Sequence, residues 1–229
     1  MGRGILYGVG VGPGDPELLT LKAQRVISEA DIIAVPDKGS GERTALKIVE
    51  NLTKDKPLLL CDAPMVRDPA QLEAAYTRSA QRITEQLDQG KTVAFLTLGD
   101  PSIYSTYLYT HRKVLAAGYL AEIVPGVPSF CAVAAALGDG LCEGSDRLLI
   151  VPASHRDVAD CLNVDANLVF MKAGKELAKL RETLAQHGLL DQSSMVENCG
   201  METEKIYPHF SDASDSGYFS IVVVKKNEK

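Results

Sequence analysis

The sequence predicts an α/β protein in two unlike parts, the first built on a mainly parallel sheet. Three observations predict it. Short apolar runs alternate with helix-patterned stretches through the first half, the signature of strands joined by crossover helices. One of those runs, residues 92–98, is apolar almost throughout, as a strand covered on both faces must be. The pattern then restarts at Pro125-Gly126-Val127-Pro128, which sets a first domain at 1–122 and a second at 123–229.

The strands of the first part fall at 4–9, 31–35, 57–60, 92–98 and 119–124, with helices expected over 16–29, 44–52, 69–89 and 102–117. The first helix has clear signals: Asp15 caps free N–H groups, Pro16 suits the first helical position, and Leu19, Ala23, Val26 and Ala30 follow at helical spacing. In the second part a small-residue helix at 129–137 precedes apolar runs at 147–151, 168–171, 194–196 and 218–224. An amphipathic helix over 175–187 carries Leu177, Leu180 and Leu184 on one face.

Composition narrows the function. Hydrophobic residues make up 45% and charged residues 24% of the 229, an ordinary globular balance. A net charge of −6 argues against a nucleic-acid partner, because phosphate binding needs clustered Lys and Arg. The five cysteines contain no CxxC pair and the four histidines no HExxH spacing, so neither a zinc site nor metal catalysis is expected. No run approaches the roughly 18–20 apolar residues of a membrane span, and the start lacks a signal-peptide pattern, so a cytoplasmic protein is expected.

The glycine turn at 8–15 follows a strand and opens a helix, which invites a dinucleotide reading. Its spacing departs from GxGxxG, Pro13 removes a backbone N–H where a phosphate cradle would use one, and Asp15 repels phosphate. Asp37, after the second strand, still imitates the ribose-binding acid of a nicotinamide enzyme and keeps that alternative open. A turn rich in backbone but without phosphate features suits S-adenosylmethionine, which carries an adenosine and an amino acid and no phosphate.

Four segments, GVGVGPGDPELLTLKA (8–23), LGDPSIYSTY (98–107), PGVPSF (125–130) and ENCG (197–200), together resemble the tetrapyrrole methyltransferases. The segment Ala63-Pro64-Met65-Val66-Arg67-Asp68 and the run GDPSIYSTYLY are similar to the members that methylate C20 of precorrin-2 or cobalt-factor II. The uroporphyrinogen III enzymes carry a Phe-rich stretch and a Gly-Arg pair where Tyr104-Ser105-Thr106 stands here.

The resemblance implies two α/β domains with S-adenosylmethionine in the cleft between them, a tetrapyrrole substrate, no membrane partner and a homodimer. It implies cofactor contacts from Pro13, from Leu98, Gly99, Asp100 and Ile103, from Pro128 and Ser129, from Met171, and from Cys199 and Gly200. On the substrate side it points to Asp37, Lys38, Arg67, Asp68 and Tyr104, with Arg43 and Arg112 adding to a basic rim for the tetrapyrrole carboxylates.

Plainer readings stand beside these. Asp100-Pro101 repeats the cap-and-proline device of Asp15-Pro16, though three hydroxyls at Tyr104, Ser105 and Thr106 on a helix are poor core packing. Met171 and Cys199 are residue types that more often fill cores, and Asp68 can simply cap the helix that starts at Pro69. Methyl transfer from a sulfonium is an in-line displacement that needs no metal and no covalent nucleophile. Tyr104, Asp37 and Asp68 are the candidates for the base that takes the proton from the acceptor carbon. A nicotinamide-dependent oxidoreductase and a non-catalytic nucleotide-sensing module are the competing classes.

Overall fold

A computed structural model gives the structure of the chain and describes residues 4–37, 43–66, 68–213, 217 and 219–226. The chain divides into two compact units, Met1–Pro128 and Ser129–Lys229. The first runs β1 (Ile5–Gly10), a 3-10 turn (Pro16–Leu18), α1 (Leu21–Glu29), β2 (Ile32–Asp37), α2 (Thr44–Ile48), α3 (Glu50–Thr53), β3 (Leu58–Asp62), α4 (Pro69–Leu87), β4 (Val93–Thr97), α5 (Tyr107–Ala116) and β5 (Leu120–Val124).

All five strands are parallel, in the order β3-β2-β4-β1-β5. Side-chain alternation on β4 explains why its sequence is apolar throughout. Val93 and Phe95 join Ala80, Ile83 and Leu87 of α4 and Tyr107 and Val114 of α5 in one core. Ala94 and Leu96 join Ala23, Val26 and Ile27 of α1 and Ala45 of α2 in another. The sheet is thus covered on both faces, and burying each of the Val, Leu, Ile and Phe side chains contributes roughly 1.5–3 kcal/mol. Pro36 is tolerated inside β2 because β4 pairs only with Ile32, Ile33 and Ala34.

Three expected helices start or break differently. The stretch 16–29 splits, because Leu19 is extended and Thr20 then caps α1 by accepting from the Ala23 N–H at 3.1 Å. The stretch 44–52 breaks at Val49 (φ −111°, ψ 23°) into α2 and α3. The helix expected from Ser102 begins only at Tyr107, because Tyr104 sits at φ 49°, outside helical space. The expected domain edge at 122–123 falls inside β5, whose Ile5↔Leu120 to Val9↔Val124 register ties it to β1 and the first unit.

The second unit runs α6 (Ser129–Leu137), β6 (Leu148–Pro152), α7 (Val158–Cys161), β7 (Asn167–Met171), α8 (Leu177–Gln186), β8 (Ser193–Glu197), β9 (Lys205–Tyr207) and β10 (Ser220–Val224). Its sheet, in the order β6-β7-β10-β8-β9, is mixed: β6 and β7 are parallel, and β10 is antiparallel to both β7 and β8. Leu177, Leu180 and Leu184 of α8 pack on Leu168, Phe170, Met195, Val222 and Val224. The alternate residues Val169, Met171, Val196, Ile221 and Val223 are buried facing the other way, and α6 packs against β8. Among the described residues no helix is long and apolar enough to cross a membrane, and no group of three or more His, Cys, Asp or Glu could hold a metal ion.

Candidate active site

Because all strands of the first sheet are parallel, their carboxyl ends share one edge. Along it, in sheet order, lie the segments that follow β3, β2, β4, β1 and β5. The neighbours β4 and β1 continue to opposite faces, β1 into α1 and β4 into α5. This is a topological switch point, and open α/β sheets bind ligands in the crevice outside such strand ends.

At that point the two glycine turns hold each other. The Gly12 N–H donates to the Gly99 carbonyl at 3.3 Å and the Gly99 N–H to the Gly12 carbonyl at 2.7 Å, while Val11 N–H donates to Thr97 O at 2.9 Å. Both glycines are left-handed, at φ 75° and 70°, a region a side chain would strain. The turn after β5 closes in as well: a Cβ on Gly126 would lie 2.3 Å from the Gly99 oxygen, and one on Gly10 would lie 2.6 Å from the Gly126 nitrogen.

Asp100 fastens this junction. Its Oδ2 accepts from the Gly126 N–H at 3.0 Å, and its Oδ1 accepts from the Ser102 N–H at 2.7 Å and from the Ser102 hydroxyl. The side chain is buried. The segment that follows is a loop rather than a helix, so Tyr104, Ser105 and Thr106 lie on it and not in a helical face. Tyr104 is half-exposed in its left-handed conformation, and Ser105 Oγ accepts from the Tyr107 N–H at 3.2 Å and lies 3.4 Å from Thr97 Oγ1.

These contacts count against the dinucleotide reading. The Gly12 and Gly99 N–H groups are spent on each other, Pro13 has none, and Asp15 caps the Glu17 N–H at 2.8 Å. Three positions that a pyrophosphate cradle in these turns would draw on thus offer it no N–H. An adenosine cofactor without phosphate makes no such demand, so the donor set here is compatible with S-adenosylmethionine.

The structure gathers Pro13, Asp37, Asp68, Leu98, Gly99, Asp100, Ile103 and Tyr104 at this edge, with Pro128 closing the first unit. Asp37 is the last residue of β2, and its carbonyl accepts from Ala63 N–H at 2.9 Å. Asp68 caps α4, accepting from Ala70 N–H at 3.0 Å and Gln71 Nε2 at 2.9 Å. Arg43 immediately precedes α2, whereas Arg112 lies half-way along α5. Lys38 and Arg67 lie outside the described residues.

In the second unit Ser129 starts α6, while Met171, Cys199 and Gly200 share one edge of the sheet, since β7 and β8 run in the same direction on either side of β10. Lys172 and Asn198, which follow those strands, are both left-handed, at φ 58° and 51°. Non-glycine residues held there cost of order 1–3 kcal/mol and concentrate at functional sites. Met171 and Cys199 are buried, and burial together with Glu204 pushes the Cys199 thiol up to about 12, which leaves it protonated and unreactive at neutral pH. Sequence reading missed Gly10, Thr97, Ser102 and Gly126. Gly10, Ser102 and Gly126 lie inside the motifs at 8–23, 98–107 and 125–130 without having been singled out, and Thr97 just precedes one of them.

The sequence profile of the tetrapyrrole (corrin/porphyrin) methylases matches residues 5–212. The chain belongs to this family. A cobalt-precorrin-2 C(20)-methyltransferase from Salmonella typhimurium is 33% identical, covering 98% of this methylase and 97% of that one. A precorrin-2 C(20)-methyltransferase from a Sinorhizobium species is 34% identical over 98% of this chain and 96% of its own. Among solved structures, a cobalt precorrin-4 methyltransferase superposes with a TM-score of 0.77 at 19% identity, over 96% of this chain and 94% of that one. That likeness confirms the two-sheet methylase fold.

Proposed function

We propose that this methylase transfers a methyl group from S-adenosylmethionine to C20 of precorrin-2 or of its cobalt-bearing counterpart in cobalamin biosynthesis. The observation that carries the reading is the near full-length similarity to two enzymes named for that reaction, coupled to a switch-point site whose two glycine turns spend the Gly12 and Gly99 N–H groups on each other's carbonyls. S-adenosylmethionine supplies a methyl already activated by a positive sulfur. The chain then has three tasks: to hold donor and acceptor in line, to exclude water, and to take a proton from the acceptor carbon.

The order of the strands suggests how the first unit divides this work. The β4, β1 and β5 turns, with Pro13, Leu98, Gly99, Asp100, Ile103 and Pro128, would take the cofactor. Ser129, Met171, Cys199 and Gly200 are the cofactor candidates of the second unit. The β3 and β2 segments, with Asp37, Lys38, Arg67 and Asp68, would take the tetrapyrrole. Tyr104, on the β4 loop between these halves, would meet both. Basic groups at Lys38, Arg43 and Arg67 would pair with the substrate carboxylates. A homodimer in the cytoplasm completes this reading.

The test is incubation with S-adenosylmethionine labelled in its methyl carbon and either precorrin-2 or cobalt-factor II, with the product read by carbon NMR. A single new methyl at C20 is expected. Methylation at another position, or turnover only with a nicotinamide cofactor, overturns the proposal.

A further inference from the structure

Asp100 was expected to touch the cofactor, yet its carboxylate is committed elsewhere. It lies within the chain at the meeting of three turns, with one oxygen on a backbone N–H from the β5 turn and the other on two donors of its own loop. Charge-assisted bonds of this kind are roughly twice as strong as neutral ones. The three turns have no side-chain bulk between them: Gly10, Gly99 and Gly126 approach at distances that leave no room for a Cβ on Gly10 or Gly126. Nothing but main chain therefore separates the ends of β1, β4 and β5, and the carboxylate is what spans from β4 to β5.

We infer that Asp100 is a positioning residue: its side chain clasps the β4 and β5 turns together, and cofactor contacts at this position are made by main chain around it. The clasp follows from the sequence of the loop. Pro101 cannot donate, so the first N–H available to Oδ1 is that of Ser102, whose hydroxyl adds a second donor to the same oxygen. That leaves Oδ2 directed to Gly126 across 26 residues of chain. An amide in place of the carboxylate would present its NH2 to one of these donors, so asparagine cannot reproduce the clasp.

The inference rests on the cofactor reading for its consequence but not for its geometry, and the experiment separates the two. Amide hydrogen exchange at Gly126 is followed by NMR in the wild-type protein and in Asp100→Asn and Ser102→Ala, first without ligand and then with S-adenosylhomocysteine. Without ligand, Asp100→Asn should lose at least about 10-fold protection at Gly126 while amides in β1 and β4 stay protected. Ser102→Ala, an exposed position, should keep the fold and the Gly126 bond. With ligand, Gly126 protection in the wild type should hold or rise. Affinity should fall about 10- to 100-fold in Asp100→Asn and only a few-fold in Ser102→Ala.

Unchanged Gly126 protection in Asp100→Asn overturns the clasp. So does a loss of Gly126 protection in the wild type when ligand binds, since the carboxylate would then have left for the ligand. If the wild-type chain binds no S-adenosylhomocysteine, the functional reading fails, and the ligand-free comparison still decides the clasp.

Discussion

Gly8 lies against the ring of Tyr107: a Cβ on the glycine would come within 2.0 Å of Cε1 and 2.6 Å of the phenolic oxygen. The Tyr107 side chain is fully buried, tilted against Phe95 with ring centroids 5.1 Å apart. Its hydroxyl shares a 2.9 Å hydrogen bond with His111 Nδ1 and reaches the Glu122 carbonyl at 3.4 Å. The first glycine of the GVGVGPG run thus makes room for the residue that anchors α5 to β1 and β5, and the later ones make the turn.

Gly8→Ala should destabilise the chain by about 2–3 kcal/mol, because a rigid ring between β1 and α5 cannot yield without moving backbone. Tyr107→Phe keeps the ring and should lose only about 1 kcal/mol with its hydroxyl bonds. Urea unfolding of both variants checks the pair. A Gly8→Ala midpoint equal to the wild type would show that α5 can shift to accept the methyl group.

Gly126→Ala should act on the site more than on overall stability. Its Cβ would meet the Gly99 carbonyl at 2.3 Å, prising the β5 turn from the glycine bridge. Affinity for S-adenosylhomocysteine, measured by calorimetry, should fall more than about 10-fold, the equivalent of about 1.4 kcal/mol. Gly140→Ala is the matched control: its Cβ would meet only Cys142 O, at an ordinary 3.7 Å. Equal affinities in the two variants would remove the β5 turn from the site.

Asp68→Ala should cost about 1 kcal/mol through loss of the α4 cap, and Asp68→Asn should recover most of it because its oxygen still accepts from Ala70 N–H. Thermal melts of both, with turnover measured in parallel, separate capping from substrate binding. A drop in turnover for Asp68→Asn at normal stability would give the carboxylate a role beyond its helix.

The strands were legible because burial on both faces of a parallel sheet leaves an unbroken apolar run, as at residues 92–98. What escaped the sequence were features set by single dihedral angles or by contacts far along the chain. Nothing in the local pattern announces that Tyr104 turns left-handed at φ 49° and holds the start of α5 back to Tyr107. Thr20 looks like an interior helical residue until its hydroxyl is seen capping Ala23. β9, three residues long among polar neighbours, exists only through pairing with β8. The candidate site was legible as motifs, but the division of labour between Gly12, Gly99, Asp100 and Gly126 was not, because it depends on a bond from residue 100 to residue 126.

The buried thiols set an alkaline limit on the fold. Burial pushes Cys61 and Cys199 from 9.0 up to about 12. For both, the folded state holds the proton more tightly than the unfolded state. Their contribution is therefore fully present below about pH 9 and is lost as pH rises toward 12. Urea midpoints should hold steady from pH 7 to about 8.5 and then fall, with part of that fall removed in Cys61→Ala once its own cavity cost is subtracted. A thiol reagent at pH 8 should modify Cys131 and Cys142, which are exposed, well before Cys61 and Cys199. Rapid modification of Cys199 in the folded protein would mean that its thiol is accessible and ionised there, and would reopen a chemical role for the residue.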